Sequence, residues 1–181
     1  MPLPEEIVIL VVEDRPDDVI LIQRAFHQAA LKNPLFFVGD GEEAQAYLEG
    51  MGKYARRDEY PLPDLVLLDL KMPKMDGFEL LEWIRSHPVF NAFRVVVITA
   101  SEDICDIKKA RKMGADSFLV KPFEFRNYSS MLRTLGSFWM KHGPAPSLQR
   151  PPKHEQPEKV RGHARTRTAA APLKILAETP P

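Results

Sequence analysis

The sequence predicts a doubly wound α/β domain, a parallel β-sheet with helices over both faces. Five short runs rich in Val, Ile, Leu and Phe stand at 7–12 (IVILVV), 35–39 (LFFVG), 64–70 (DLVLLDL), 94–100 (RVVVITA) and 117–120 (SFLV). Several are apolar throughout rather than alternating, which suits strands buried on both sides. Segments with helical spacing separate them, so the chain reads βαβαβαβαβα.

Each helix has its own signals. The first, 16–30, opens with Pro16, Asp17 and Asp18, a proline and two acids suited to a helix first turn. The second covers 41–50, the third 77–86 ahead of Pro88, and the fourth 103–113, stopped by Gly114. The last, 124–140, sets Phe125, Tyr128, Leu132, Leu135 and Trp139 along one stripe, which Met131 and Phe138 widen. Such a stripe is a broad core-facing surface or, if wider than one sheet face can cover, a dimer face made by Tyr128, Met131, Leu135, Phe138 and Trp139. The domain is expected to close near residue 142.

Beyond His142 the composition changes. Residues 144–181 contain eight prolines, seven of the 25 basic residues and three of the 25 acidic ones. The overall charge of zero therefore divides into a body with 18 basic and 22 acidic side chains and a basic tail. So few large apolar groups predict disorder for 143–181, with at most a transient amphipathic turn at 171–178. A basic tail can hold an acidic partner or nucleic acid by charge. A solvated segment without a role is the reading we favour, and nucleic acid is not an expected partner. The single cysteine, Cys105, excludes an intrachain disulfide and reads as a small side chain on a helix. The N-terminal MPLPEEIVIL has acids and no basic stretch ahead of its apolar run, unlike a signal peptide. No apolar run approaches the roughly 20 residues of a membrane span, so a cytoplasmic location is expected.

Ligands of doubly wound sheets sit beyond the carboxyl ends of the strands. There the first strand runs into Glu13-Asp14, the third into Asp69, the fourth into Thr99 and the fifth into Lys121-Pro122. Three carboxylates, a hydroxyl and an ammonium thus converge at one sheet edge. Carboxylates this close repel unless one is protonated or a divalent cation lies among them. An all-oxygen set suits Mg²⁺, which keeps several waters and bridges to phosphate oxygens. Asp69 then reads as a nucleophile and metal ligand held by a rigid strand end. Pro73 and Gly77 shape the loop behind it, Pro73 by fixing φ and Gly77 by allowing a turn that a β-carbon would hinder.

VVED (11–14), LLDLKMPKMDG (67–77), VVVITA (95–100) and KPF (121–123) together resemble the signature set of response-regulator receiver domains, over about residues 6–140. The resemblance implies a flavodoxin-like five-stranded sheet of order 2-1-3-4-5 with five helices, a receiver domain at 1–142 and a separate tail at 143–181. It implies that Asp69 accepts a phosphoryl group from the phosphohistidine of a sensor histidine kinase. Mg²⁺ would be held by Glu13, Asp14, Asp69 and the Lys71 backbone carbonyl. Thr99 and Lys121 would bond phosphoryl oxygens, Phe118 would swing inward as the switch aromatic, and the Lys121–Pro122 peptide bond would be cis. Signalling would pass through the face formed by the fourth helix, fifth strand and fifth helix.

VEDRPDDVILIQRAF (12–26), the insertion GMGKYARRDEYPLPDL (50–65) and the LGSFWM ending (135–140) resemble receivers paired with bacterial phytochrome-type kinases, which commonly form homodimers. The short tail leaves no room for a helix-turn-helix output unit, so a single-domain regulator is expected. This would be no enzyme beyond self-phosphorylation from small donors and autodephosphorylation. Three alternatives fit less well. A phosphatase using an aspartyl phosphate would need a second Asp where Lys71 stands. A degenerate, receiver-shaped binding module would be expected to have lost one of the acids or the lysine. A nucleotide-binding Rossmann protein would need a glycine-rich loop where VVEDRPDD follows the first strand.

Overall fold

A computed structural model describes residues 7–100 and 103–142. Five parallel strands, β1 (Ile9–Val12), β2 (Leu35–Val38), β3 (Leu65–Leu68), β4 (Arg94–Thr99) and β5 (Ser117–Val120), pair in the order β2-β1-β3-β4-β5. Helices α1 (Pro16–Gln28), α2 (Gly41–Glu49), α3 (Gly77–Ser86), α4 (Ile104–Lys112) and α5 (Tyr128–His142) follow the strands in turn. This is the flavodoxin-like strand order that the resemblance implies.

The continuous apolar runs have a simple cause: alternate residues of each strand enter two different cores. Leu10, Val12, Val66, Leu68, Val95 and Val97 meet α2, α3 and α4 on one face. Ile9, Val11, Leu65, Leu67, Val96 and Ile98 meet α1 and α5 on the other. At about 25 cal/mol per Å² of apolar surface buried, these two layers dominate the stability of the sheet.

Local chemistry sets the helix starts. Asp40 accepts from the Glu43 N–H at 2.8 Å, Asp103 caps α4 through the Cys105 N–H, and Asp76 with Glu79 forms a reciprocal capping box at α3. Helix α1 ends at Gln28, short of the expected residue 30, because Ala30 turns left-handed at φ 52° and the Leu31 N–H returns to the Phe26 carbonyl. Helix α5 starts late: Phe125–Asn127 form a tighter 3₁₀ turn, closed by Asn127 N–H onto the Glu124 carbonyl. The 50–65 insertion adds a 3₁₀ turn (Gly52–Ala55) whose Tyr54 packs between Tyr47 and Tyr60. Arg57 donates to the Tyr47 and Leu48 carbonyls, covering the open end of α2.

Two expectations are corrected. Tyr128, Met131, Leu135 and Trp139 are buried inside this chain, and Phe138 packs partly buried against the same cluster. The stripe is wide because it covers both the sheet and α1, so these residues do not form a free dimer face. The Lys121–Pro122 bond is trans, with no cis peptide among the described residues. Trans is the ordinary preference for X–Pro, and the Lys121 side chain reaches the acidic groups described below without the cis form. The tail and its 171–178 segment lie outside the described residues. Among those residues no helix is long and apolar enough to cross a membrane.

Candidate phosphoacceptor and metal site

The sheet ladder extends one residue past β1 and β3 and so fixes the two central acids. Glu13 N–H donates to the Val38 carbonyl and Asp69 N–H to the Val12 carbonyl, both at 3.0 Å. Glu13 and Asp69 thereby become neighbours on adjacent strands, at 3% and 4% exposure. Asp14 follows at the start of the β1–α1 loop. One oxygen each from Glu13, Asp14 and Asp69 lies within 4.8 Å of the others, and Asp14 Oδ1 is buried with no hydrogen-bond partner.

Lys121 enters this group from the far side of β4. Its backbone N–H bonds the Thr99 carbonyl at 2.8 Å, continuing the β4–β5 pairing. Its ammonium donates to Glu13 Oε2 at 2.5 Å, Asp69 Oδ2 at 2.5 Å and Asp18 Oδ2 at 3.0 Å. Burial works to lower the Lys121 pKa, but the bonds to Asp69 and Glu13 outweigh it and hold the amine protonated. Burial pushes Glu13 up to about 7, against the opposing pull of Lys121. Lys121 therefore leaves the pocket short of positive charge.

The loop behind Asp69 is built without spare room. A β-carbon on Gly77 would lie 2.1 Å from the Asp69 carbonyl oxygen, so space rather than a positive φ demands glycine there. Pro73 is exposed in this loop, and Lys74 adopts φ 59° while pairing with Asp40 at the start of α2. Lys71 N–H donates to Asp69 Oδ1 at 3.2 Å. Its ammonium bridges to Asp106 on α4 at 3.2 Å, and both it and Lys109 lie over the Phe78 ring. Thr99 is buried at the end of β4. Phe118, half-buried, pairs in register with Val97 and packs on the face shared with α2–α4. Thr99 is two residues beyond Val97 and so points to that same face.

Glu13, Asp14, Asp69 and Lys121 thus converge at one edge of the sheet, where Thr99 also ends β4. Asp18 joins them unannounced. In the sequence it reads as one of two acids at a helix start, yet it is 8% exposed and bonds Lys121, whereas its neighbour Asp17 is exposed. Asp14 lies before α1, so no helical spacing ties the two acids, and packing alone puts Asp18 rather than Asp17 on the pocket side.

A model of the response regulator receiver domain matches residues 9–133. This chain belongs to that family. It is similar to the response regulator Rcp1 of Synechocystis, at 33% identity over 133 residues, covering 74% of this chain and 88% of Rcp1. Among solved structures, the phosphorylated cyanobacterial phytochrome response regulator RcpA aligns with TM-score 0.70 and 33% identity, over 78% of this chain and 99% of RcpA. RPA3017, from red light signalling of R. palustris, aligns with TM-score 0.72 and 32% identity, over 81% and 99%. A Mn²⁺-bound form of Rcp1 aligns with TM-score 0.67, 32% identity and coverage of 78% and 99%.

The acidic residues of this receiver fit a divalent cation on their own chemistry. Clustered carboxylate oxygens, one buried and unpartnered, are the hard donors that Mg²⁺ or Mn²⁺ takes.

Proposed function

We propose that this receiver is a phosphorylation-switched response regulator whose phosphoacceptor is Asp69 and whose donor is a sensor histidine kinase of the phytochrome type. One observation carries the reading: Asp69 ends a central strand within the same 4.8 Å group as Glu13 and Asp14, with Lys121 bonded to its carboxylate. An Asp69 carboxylate oxygen attacks phosphorus as the phosphorus–nitrogen bond of the donor breaks, and the imidazole nitrogen leaves with the electron pair. Such transfers need positioning and charge neutralisation more than elaborate covalent chemistry.

Glu13, Asp14, Asp69 and the Lys71 carbonyl would hold Mg²⁺, which when bound offsets the phosphoryl charge and orients its oxygens. The strand end keeps the Asp69 carboxylate in place, and the Lys71 N–H orients its Oδ1. Lys121 turns its ammonium to one phosphoryl oxygen and Thr99 its hydroxyl to another. Phe118 then takes up the volume beside Thr99 by packing alone, since it has no hydroxyl to satisfy. The output is read on α4, β5 and α5, where Ile104 and Val120 are exposed apolar side chains. The phytochrome-type kinase is supported by similarity to regulators that carry that name, and the divalent cation by the Mn²⁺-bound relative.

Intact mass after incubation with a small phosphoryl donor tests the chemistry. The wild type should gain one phosphoryl mass in a Mg²⁺-dependent way, and Asp69→Ala should gain none. An equal gain in Asp69→Ala would move the acceptor elsewhere.

A further inference from the structure

Lys121 has three ammonium hydrogens and three carboxylate partners, Glu13, Asp69 and Asp18, so every donor is engaged. Two of those partners have other work in the reading above, on which this inference rests. Glu13 and Asp69 belong to the group that fits a divalent cation, and Asp69 also takes the phosphorus. Asp18 does not belong to that group. It is the only one of the three that the lysine can keep through the whole reaction.

We propose that Asp18 is a positioning residue. It retains Lys121 through one hydrogen bond while the cation takes Glu13 and the phosphoryl group takes Asp69. The geometry suits this. Asp18 stands in the first turn of α1, packed by its helix rather than by the acceptor loop, and is nearly as buried as the lysine it holds. Its second charged neighbour, Arg15, is 3.8 Å away and largely exposed, so it competes weakly for the carboxylate. Without Asp18 the third hydrogen of Lys121 loses its acceptor, and the ammonium closes onto Glu13 and Asp69. It then opposes the cation at one and the phosphorus at the other.

The test compares wild type, Asp18→Asn, Asp18→Glu, Lys121→Met and the Asp18→Asn/Lys121→Met double variant. Two readouts are used: Mn²⁺ affinity from paramagnetic titration, and the rate of phosphoryl gain from a small donor at saturating Mg²⁺. Asp18→Asn, which replaces the carboxylate by a weaker neutral amide acceptor, should weaken Mn²⁺ binding and slow phosphoryl gain by roughly tenfold each, the scale of one hydrogen bond to a charged group. Asp18→Glu, which keeps the charge, should recover most of the loss. In the Lys121→Met background, Asp18→Asn should weaken Mn²⁺ binding little further, because Asp18 acts through the lysine.

A purely structural role predicts the opposite pattern, with lowered thermal stability, unchanged Mn²⁺ affinity and additive effects in the double variant. That result overturns the proposal. So does an Asp18→Glu variant as slow as Asp18→Asn, a comparison that holds even if one substitution lowers stability. If the wild type itself gains no phosphoryl mass, the functional reading fails instead. The Mn²⁺ arm still decides the role of Asp18.

Discussion

Two charge clusters, one half-buried and one buried, lie at opposite ends of the sheet, and they are built on different terms. Where β4 begins, Asp116 accepts from Arg85 at 2.8 Å, from Arg94 at 3.1 Å and from the Val95 N–H at 2.8 Å. Arg85 spends its remaining donors on the carbonyls of Asn91, Phe93 and Gly114. Two guanidinium groups there face one carboxylate, and Arg85 ties the end of α3 to the loops on either side. Where the strands end, four carboxylates face one ammonium, and Asp14 Oδ1 has no partner. A cluster with cations enough for its acid holds a fold together. One that keeps more acid than it can neutralise is held together by the fold, and it waits for a cation from outside.

The contrast breaks most visibly at Arg85. Arg85→Ala should cost about 2–4 kcal/mol, since three carbonyls lose their donor and Asp116 keeps only Arg94 and the Val95 N–H, and urea denaturation measures it. A cost under about 1 kcal/mol would mean that the balanced cluster is ornamental.

The next effect is in pH. Glu13 has a folded pKa of about 7 against an ordinary 4.5, so the folded state holds this proton more tightly than the unfolded state. Its ionisation therefore works against folding: stability without metal should fall as pH rises from about 4.5 through about 7, by about 3 kcal/mol in all. Glu43 runs the other way. Burial raises its pKa, but its bonds to Lys53, the Gly39 N–H and Tyr54 outweigh that and bring it down to about 2. Its contribution is present above about pH 4.5 and is lost as pH falls toward 2. Urea curves in EDTA for wild type and Glu13→Gln isolate the first term as their difference between pH 5 and 7. Saturating Mg²⁺ should remove that difference, with release of the Glu13 proton on binding. Identical pH slopes for the two proteins would show that Glu13 is already ionised below neutral pH.

The smallest effect is the most specific. Asp14→Asn should raise metal-free stability by about 1 kcal/mol by removing one like charge, while abolishing tight Mn²⁺ binding. A loss of stability in EDTA would place Asp14 with the structural acids, alongside Asp116.

Most of the fold was legible because several strands are apolar throughout and the segments between them carry helix start or stop signals such as Pro16 and Gly114. The central site residues were legible because a strand end is a rigid address: Asp69 cannot move far from Glu13 once Leu68 pairs with Val12. Asp18 was hidden by a competing explanation. Acids in a first helical turn are accounted for by the helix dipole, and only packing separates the buried Asp18 from the exposed Asp17. The α5 stripe was visible as a pattern but silent about its partner, since Leu132, Leu135 and Trp139 satisfy a core or an interface equally well. The α1–α5 contact decides for the core.

The loop after Asp69 is moored to α4 by Lys71 and Asp106, and the Lys71 side chain is 63% exposed. Salt screens a pair with one exposed partner more than it screens a buried pair. The buried Lys121 bonds are shielded from that weakening. The link between the Asp69 loop and α4 is thus one that dissolved salt can loosen, while the Lys121 bonds beneath it stay insulated. If Asp69 takes a phosphoryl group as proposed, added salt should free α4 from that loop before it alters the rate of phosphoryl gain.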